Sequence, residues 1–191
     1  MIIRSLLNLP IILTLACISL TSFANKNDSP HLDNEGYCVI DIPNDYERSY
    51  DQQKIIPVPD VKGHIIRIHE QSQKLKNTKL CNGENLVSAT YYALTDYVDL
   101  TGSISGYAIF KTDKGDRIFI KATGIASKEA EGDLANNQTI GIVIGGTGSL
   151  ASASGDYQYI GRHNRIKEKN ITIINKLRYK IASDDNKKPV R

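Results

Sequence analysis

From residue 84 onward the chain alternates. Leu86, Ser88, Thr90, Tyr92 and Leu94 fall on one side of an extended segment, with Val87, Ala89, Tyr91 and Ala93 on the other. A period of two predicts a strand with two distinct faces. Thr101–Thr112 predicts the next strand, and Asp113-Lys114-Gly115-Asp116 supplies a hairpin turn. In the returning strand Arg117–Thr123, Ile118, Ile120 and Ala122 share one face, while Arg117, Phe119 and Lys121 share the other. Residues 128–137 are charged and broken by glycine, which predicts a loop or a single helical turn. Thr139–Ile144 and Asp156–Ile160 predict two further strands, separated by the Gly/Ser/Ala-rich stretch 145–155. In Ile171–Ile181 the residues Ile171, Ile173, Leu177, Tyr179 and Ile181 alternate with Thr172, Lys176, Arg178 and Lys180, and Asn175 is the one polar residue on the apolar side.

Before residue 84 the pattern is weaker. Tyr37–Ile42 reads as a short strand, and Lys62–Gln71 alternates around Ile65, Ile66 and Ile68. Residues 25–61 hold Pro43, Pro57 and Pro59 among many polar residues, which predicts an irregular N-terminal arm. The total is about seven or eight strands with no amphipathic helix. Short strands joined by tight turns imply a sandwich or a barrel, and closure removes exposed edges. The expected fold is all-β: a small antiparallel up-and-down β-barrel over residues 62–182, preceded by the arm and followed by a polar tail, 183–191.

The first 24 residues have a different character. Arg4 supplies a positive start, residues 6–20 are apolar apart from Asn8, Thr14 and Ser19, and Ala24 follows Thr21-Ser22-Phe23. This is the layout of a cleaved signal peptide, so the protein is expected to be exported, to the periplasm or beyond the cell. The apolar run is short for a bilayer span of ~20 residues and contains Pro10, which argues against a transmembrane anchor. Ala16-Cys17 leaves lipidation of Cys17 as an alternative. Beyond residue 24 two cysteines remain, Cys38 and Cys81. An even count in an oxidising compartment predicts a disulfide between them.

The net charge of +3 conceals an asymmetry: residues 25–160 carry thirteen basic and eighteen acidic side chains, and residues 161–191 carry ten basic and three acidic. The basic end has little aromatic interleaving. It reads as a solvated strand face and soluble tail, and no nucleic-acid partner is expected.

Two segments resemble a known family. GSISGYAIFKTDKGDRIFIKATG, residues 102–124, is similar to the central hairpin of the allene oxide cyclase and dirigent-like barrels. IGGTGSLASASGDYQYIG, residues 144–161, resembles a recurrent glycine-rich pattern of the same superfamily. The resemblance covers roughly residues 84–182 and implies a barrel. It implies no single activity, because the group includes plant cyclases as well as proteins that guide stereochemistry without catalysing a reaction. No cyclase catalytic residue maps onto this chain.

Candidate chemistry is sparse. Gly145-Gly146-Thr147-Gly148 lacks the Lys-Ser/Thr of a phosphate loop, so glycines there are expected to serve a sharp corner. His64 and His69 are an odd number of residues apart and should face opposite sides of a strand, which argues against a shared metal. No metal or other cofactor is expected, and no Gly-x-Ser-x-Gly element points to nucleophilic hydrolysis. Ten tyrosines with no tryptophan are more suggestive. Tyr92, Tyr107, Tyr157 and Tyr159 are the candidate ligand-binding residues, each pairing an apolar ring with a polar tip. Three readings follow: a non-catalytic binder of a small apolar or amphipathic ligand, a cyclase or isomerase, or an interaction module using its outer surface as a homo-oligomer or against an envelope or host protein. The last draws on strand 85–94, which has apolar residues on both faces.

Overall fold

The structure, a computed structural model, describes residues 30–43, 49–130, 134–164 and 169–182. The segment expected to be a signal peptide, Cys17 and the tail 183–191 lie outside the described residues. Ten strands form one antiparallel sheet: β1 His31–Leu32, β2 Cys38–Asp41, β3 Ser49–Pro57, β4 His64–Lys79, β5 Asn85–Val98, β6 Thr101–Thr112, β7 Arg117–Lys128, β8 Leu134–Gly146, β9 Ala153–Asn164 and β10 Lys169–Ile181. Their order is β1-β2-β10-β9-β8-β7-β6-β5-β4-β3. From β3 to β10 each strand pairs with its successor, the up-and-down connectivity that alternation and tight turns favour. The hydrogen-bonded order has two free ends, β1 and β3, so the sheet is all-β and antiparallel but not closed by backbone pairing.

The stretch expected to be an irregular arm contributes three strands. β3 pairs with β4 from Ser49↔Ser72 to Pro57↔Ile65. The prolines do not prevent this, because β3 is an edge strand and Pro57 is its last residue. Half of the stretch expected to be a loop at 128–137 belongs to β7 and β8, which extend to Lys128 and from Leu134.

Two bulges correct the predicted faces. Val87 is the extra residue of β5 opposite β6, between the pairs Leu86↔Thr112 and Ser88↔Lys111. Leu86 is therefore buried, yet beyond the bulge the inward side passes to Ala89, Tyr91, Ala93, Thr95 and Tyr97. In β10 the register shifts between Thr172 and Ile174. Thr172 is consequently buried and Ile173 exposed, the reverse of simple alternation, while Asn175, Leu177 and Tyr179 point inward.

The inward faces of β2 and β4–β10 meet in one core, so the sheet is curled on itself. Phe110, Leu86, Ile118, Ile120 and Leu177 are almost completely buried, together with Ile40 of β2, Ile42 just after it and Leu80 after β4. The glycine-rich stretch forms the corner from β8 to β9. There a short 3-10 helix, Gly148–Leu150, inserts the fully buried Leu150 into the core. The Ser149 amide donates to Asp116 Oδ2 at 2.8 Å. Cys38 and Cys81 are bonded, sulfurs 2.08 Å apart.

The β1–β2 turn is fixed by Arg178 of β10. Its guanidinium donates to Asp33 at 2.7 Å, Glu35 at 2.5 Å and Asp156 at 3.1 Å, and lies 3.7 Å from the centre of the Tyr37 ring. The basic face of the last strand is thus partly consumed in binding the N-terminal hairpin.

Candidate functional site

The core fills only one end of the curled sheet. At the other end, towards the β5–β6 turn, the interior holds a cavity of about 370 Å³. The sequence accounts for its existence. One inward row runs across β5 to β8 as Ala93↔Gly106↔Ala122↔Gly141. The next rows pass through Gly124, and through Gly102 and Ala126. Small residues on these four strands leave volume that larger side chains would occupy. They also let the backbone bend: a Cβ on Gly106 would collide with the Tyr92 carbonyl, and one on Gly124 with the Gln138 carbonyl.

Larger polar and aromatic groups line the remaining walls. Tyr91 and Tyr157 form the floor, their rings 6.2 and 5.9 Å from that of Phe110. Tyr159, Thr139 and Asn137 come from β8 and β9, and Tyr50, Arg67, His69 and Gln71 from β3 and β4. Arg67 is held between rings, its guanidinium carbon 4.7 Å from the centre of Tyr50 and 5.9 Å from that of Tyr97. His69 meets Tyr50 edge-on at 5.0 Å. Burial pushes the Tyr97 hydroxyl up to about 12, against the opposing influence of Arg67.

The rim is the two-residue β5–β6 turn. Asp99 and Leu100 both adopt positive φ, 47° and 68°. That backbone suits a hairpin turn of primed type but disfavours leucine. Leu100 lines the cavity, so its side chain is set at the mouth by a strained residue. Asp99 is bound at 2.8 Å by Lys128.

The four candidate tyrosines divide between the two faces. Tyr157 and Tyr159 point inward, 4% and 7% exposed. Tyr92 and Tyr107 are 43% and 50% exposed and are direct cross-strand partners on the outer face. They line an open outer groove of about 1180 Å³, with Ile68, Leu94, Ile140 and Ile142, and also border the cavity. Tyr91 and Tyr92 are adjacent, so the bulge at Val87 decides which is turned to the inner face. Arg67 was not singled out by sequence reasoning, although its parity with Ile65 and His69 in an alternating segment was the available signal.

The two histidines separate as their odd spacing requires. His69 faces the cavity. His64 lies on the outer face between two carboxylates, with Nδ1 2.6 Å from Asp60 and Nε2 2.7 Å from Asp96. Asp96, then Asp60, raise its pKa above the ordinary value. Among the described residues no cluster of three or more His, Cys, Asp or Glu is arranged to hold a metal ion, and no helix is long and apolar enough to cross a membrane.

The arrangement offers a concave, mixed surface: aromatic rings, a guanidinium, an imidazole and amides around a space of small-molecule size. Among the described residues its one lining carboxylate, Asp99, is at the rim and paired with Lys128. Compared with known proteins, the chain matches no protein-family model, no curated protein and no solved structure.

Proposed function

We propose that this protein is an exported, non-catalytic binder of one small amphipathic molecule, held inside a barrel-like curled sheet. The observation that carries this reading is the 370 Å³ cavity between the packed floor and the β5–β6 rim. Its volume falls within the range of small-molecule sites, and its lining combines apolar area with a few placed polar groups, as such sites do. The resemblance of residues 102–124 and 144–161 to allene oxide cyclase and dirigent-like barrels supports the same reading at the level of fold. The leader-like N-terminus and the bonded cysteine pair support export. The test is native mass spectrometry and thermal shift with a panel of neutral and charged phenyl and naphthyl compounds. Saturable one-to-one binding, lost when Ala122→Phe fills the cavity, is expected. Binding unchanged in that variant would place the ligand elsewhere and overturn the reading.

A second reading, an interaction through the outer face, is favoured by a separate observation. Two registered rows cross six strands there, Gln52↔Glu70↔Tyr92↔Tyr107↔Lys121↔Ile142 and Lys54↔Ile68↔Leu94↔Ser105↔Thr123↔Ile140. Leu94, Ile140 and Ile142 are 45%, 66% and 59% exposed. Apolar positions gathered this way mark association surfaces. Sedimentation velocity of the wild type and of Leu94→Glu checks it: a wild type that remains monomeric at high concentration would remove self-association from this reading.

A further inference from the structure

We propose that the cavity takes a compact organic anion, an aromatic or alicyclic acid whose carboxylate pairs with Arg67. This rests on the cavity-binding reading above and specifies its ligand class.

The argument begins with charge. Arginine does not lose its proton in a protein, so a guanidinium turned into a fold needs an anion, hydrogen-bond acceptors or ring faces. Arg178 shows how this sheet treats a guanidinium that serves structure: three carboxylates and one aromatic ring surround it. Arg162, likewise, pairs with Glu129 at 2.8 Å. Arg67 is treated differently. It has ring faces in Tyr50 and Tyr97, but among the described residues no carboxylate pairs with it. Its Nε is buried and has no hydrogen-bond partner. The one acidic side chain lining the cavity among the described residues, Asp99, is at the rim and bound to Lys128. Among the described residues, then, the Arg67 charge is answered by rings and by the Tyr97 hydroxyl but by no carboxylate, in a wall of aromatic and small residues.

Geometry then limits what can answer that charge. The two flanking rings restrict the open directions around the guanidinium and present apolar surface beside it. A planar acid can place its carboxylate on the guanidinium and its body against tyrosine. A second polar group is in the same cavity, since Asn137 Oδ1 is also buried without a partner and accepts a donor such as a ligand hydroxyl. At about 370 Å³ the cavity lies near the low end of small-molecule sites. That favours a compact ring-bearing acid over a long acyl chain.

The experiment uses a matched pair of ligands, 4-phenylbutyrate and its uncharged counterpart 4-phenylbutanol, titrated by calorimetry into the mature protein. A hydrogen bond to a charged group contributes about 1.5–3 kcal/mol, so the wild type should prefer the acid by about tenfold or more. In Arg67→Gln that preference should vanish while 4-phenylbutanol still binds, and Arg67→Lys should keep part of it. Equal affinity for both compounds in the wild type, or a preference retained in Arg67→Gln, would overturn the anion proposal and leave the cavity reading standing. Failure of both compounds to bind the wild type would overturn both. If Arg67→Gln does not fold, the Arg67 Nε–H resonance of the wild type decides: it should move with 4-phenylbutyrate and stay with 4-phenylbutanol, and an unmoved signal at saturation with the acid overturns the proposal.

Discussion

Cys38 and Cys81 join the two ends of a sheet that backbone hydrogen bonding leaves open. Cys38 begins β2, second from one edge, and Cys81 follows β4, second from the other, with their Cα atoms 5.8 Å apart. Strands at opposite ends of the hydrogen-bonded order are thereby neighbours in space. Buried Leu80 packs in the same core as Ile40 and Ile42, so the seam here is closed by side chains and sulfur.

Cys38→Ser should therefore open the seam. The closed loop spans a sequence separation of 43, for which chain entropy gives an upper estimate of about 4 kcal/mol. Urea unfolding of the variant should show a lower midpoint by a good part of that amount. Limited proteolysis should cut first within residues 30–57, while the strands from β5 onward stay protected. Equal midpoints for wild type, variant and reduced wild type would show that the bridge contributes nothing.

The Asp60–His64–Asp96 cluster should make stability depend on pH. His64 has its pKa raised in the folded state, by Asp96 first and Asp60 second. A raised histidine stabilises fully below its unfolded value, about 6.5, and loses that contribution as pH rises through the folded value. Asp60 has its pKa lowered, chiefly by its hydrogen bond with His64. Its contribution is present above its ordinary value and falls away as pH drops through the folded one. The cluster thus supports the fold best between these limits, in mildly acidic solution. Melting temperature across pH 3–9 should show a decline above neutrality that His64→Gln removes, and NMR titration should place the His64 pKa above that of a histidine in a short peptide.

Gly106→Ala should destabilise by about 1–3 kcal/mol, the usual cost of forcing atoms into occupied space. Its Cβ has no free direction, because the Tyr92 carbonyl and the Ala93 Cα lie in its path. Gly115→Ala makes a useful contrast, since nothing lies within 4 Å of a Cβ there and only its positive φ of 92° opposes the change. Chemical denaturation of both variants measures the difference, and a harmless Gly106→Ala would contradict the close strand approach.

Tyr97 and Tyr179 should ionise late. Burial pushes each up to about 12, so absorbance near 295 nm should rise first for exposed tyrosines near pH 10. A final component should follow near pH 12 or appear with unfolding. Because the unfolded chain releases these protons earlier, stability should fall as pH rises above 10. Tyr97→Phe should remove part of the late component.

Much of this architecture is legible in the chain, and the parts that are not have definite physical causes. Alternation locates β5 to β10, and Asn175 stands out as the polar residue on an apolar face before its burial is known. Alternation cannot reveal that Val87 and Ile173 sit in register shifts, because a bulge is fixed by the partner strand. The bulge in β5 turns Tyr92 to the outer face beside its cross-strand partner Tyr107, whereas Tyr157 and Tyr159 point inward, and all four border the cavity. The β3 edge was obscured by Pro57, which terminates a strand as readily as it precludes one. The cavity was written in the small residues Ala93, Gly106, Ala122 and Gly141, but only the register shows that they lie in one row.

The disulfide and the packed core occupy the same end of the sheet, and the cavity occupies the other. Resistance to deformation is therefore graded along each strand rather than from strand to strand. β5 begins near the sulfur bridge, passes Phe110, and ends at a turn where Lys128 holds Asp99. The molecule behaves as a sleeve stitched at the cuff: the far opening can widen or narrow by small changes in strand splay without loosening the stitched end. Under the cavity-binding proposal, a guest would enter at the open end while the stitched end keeps its packing.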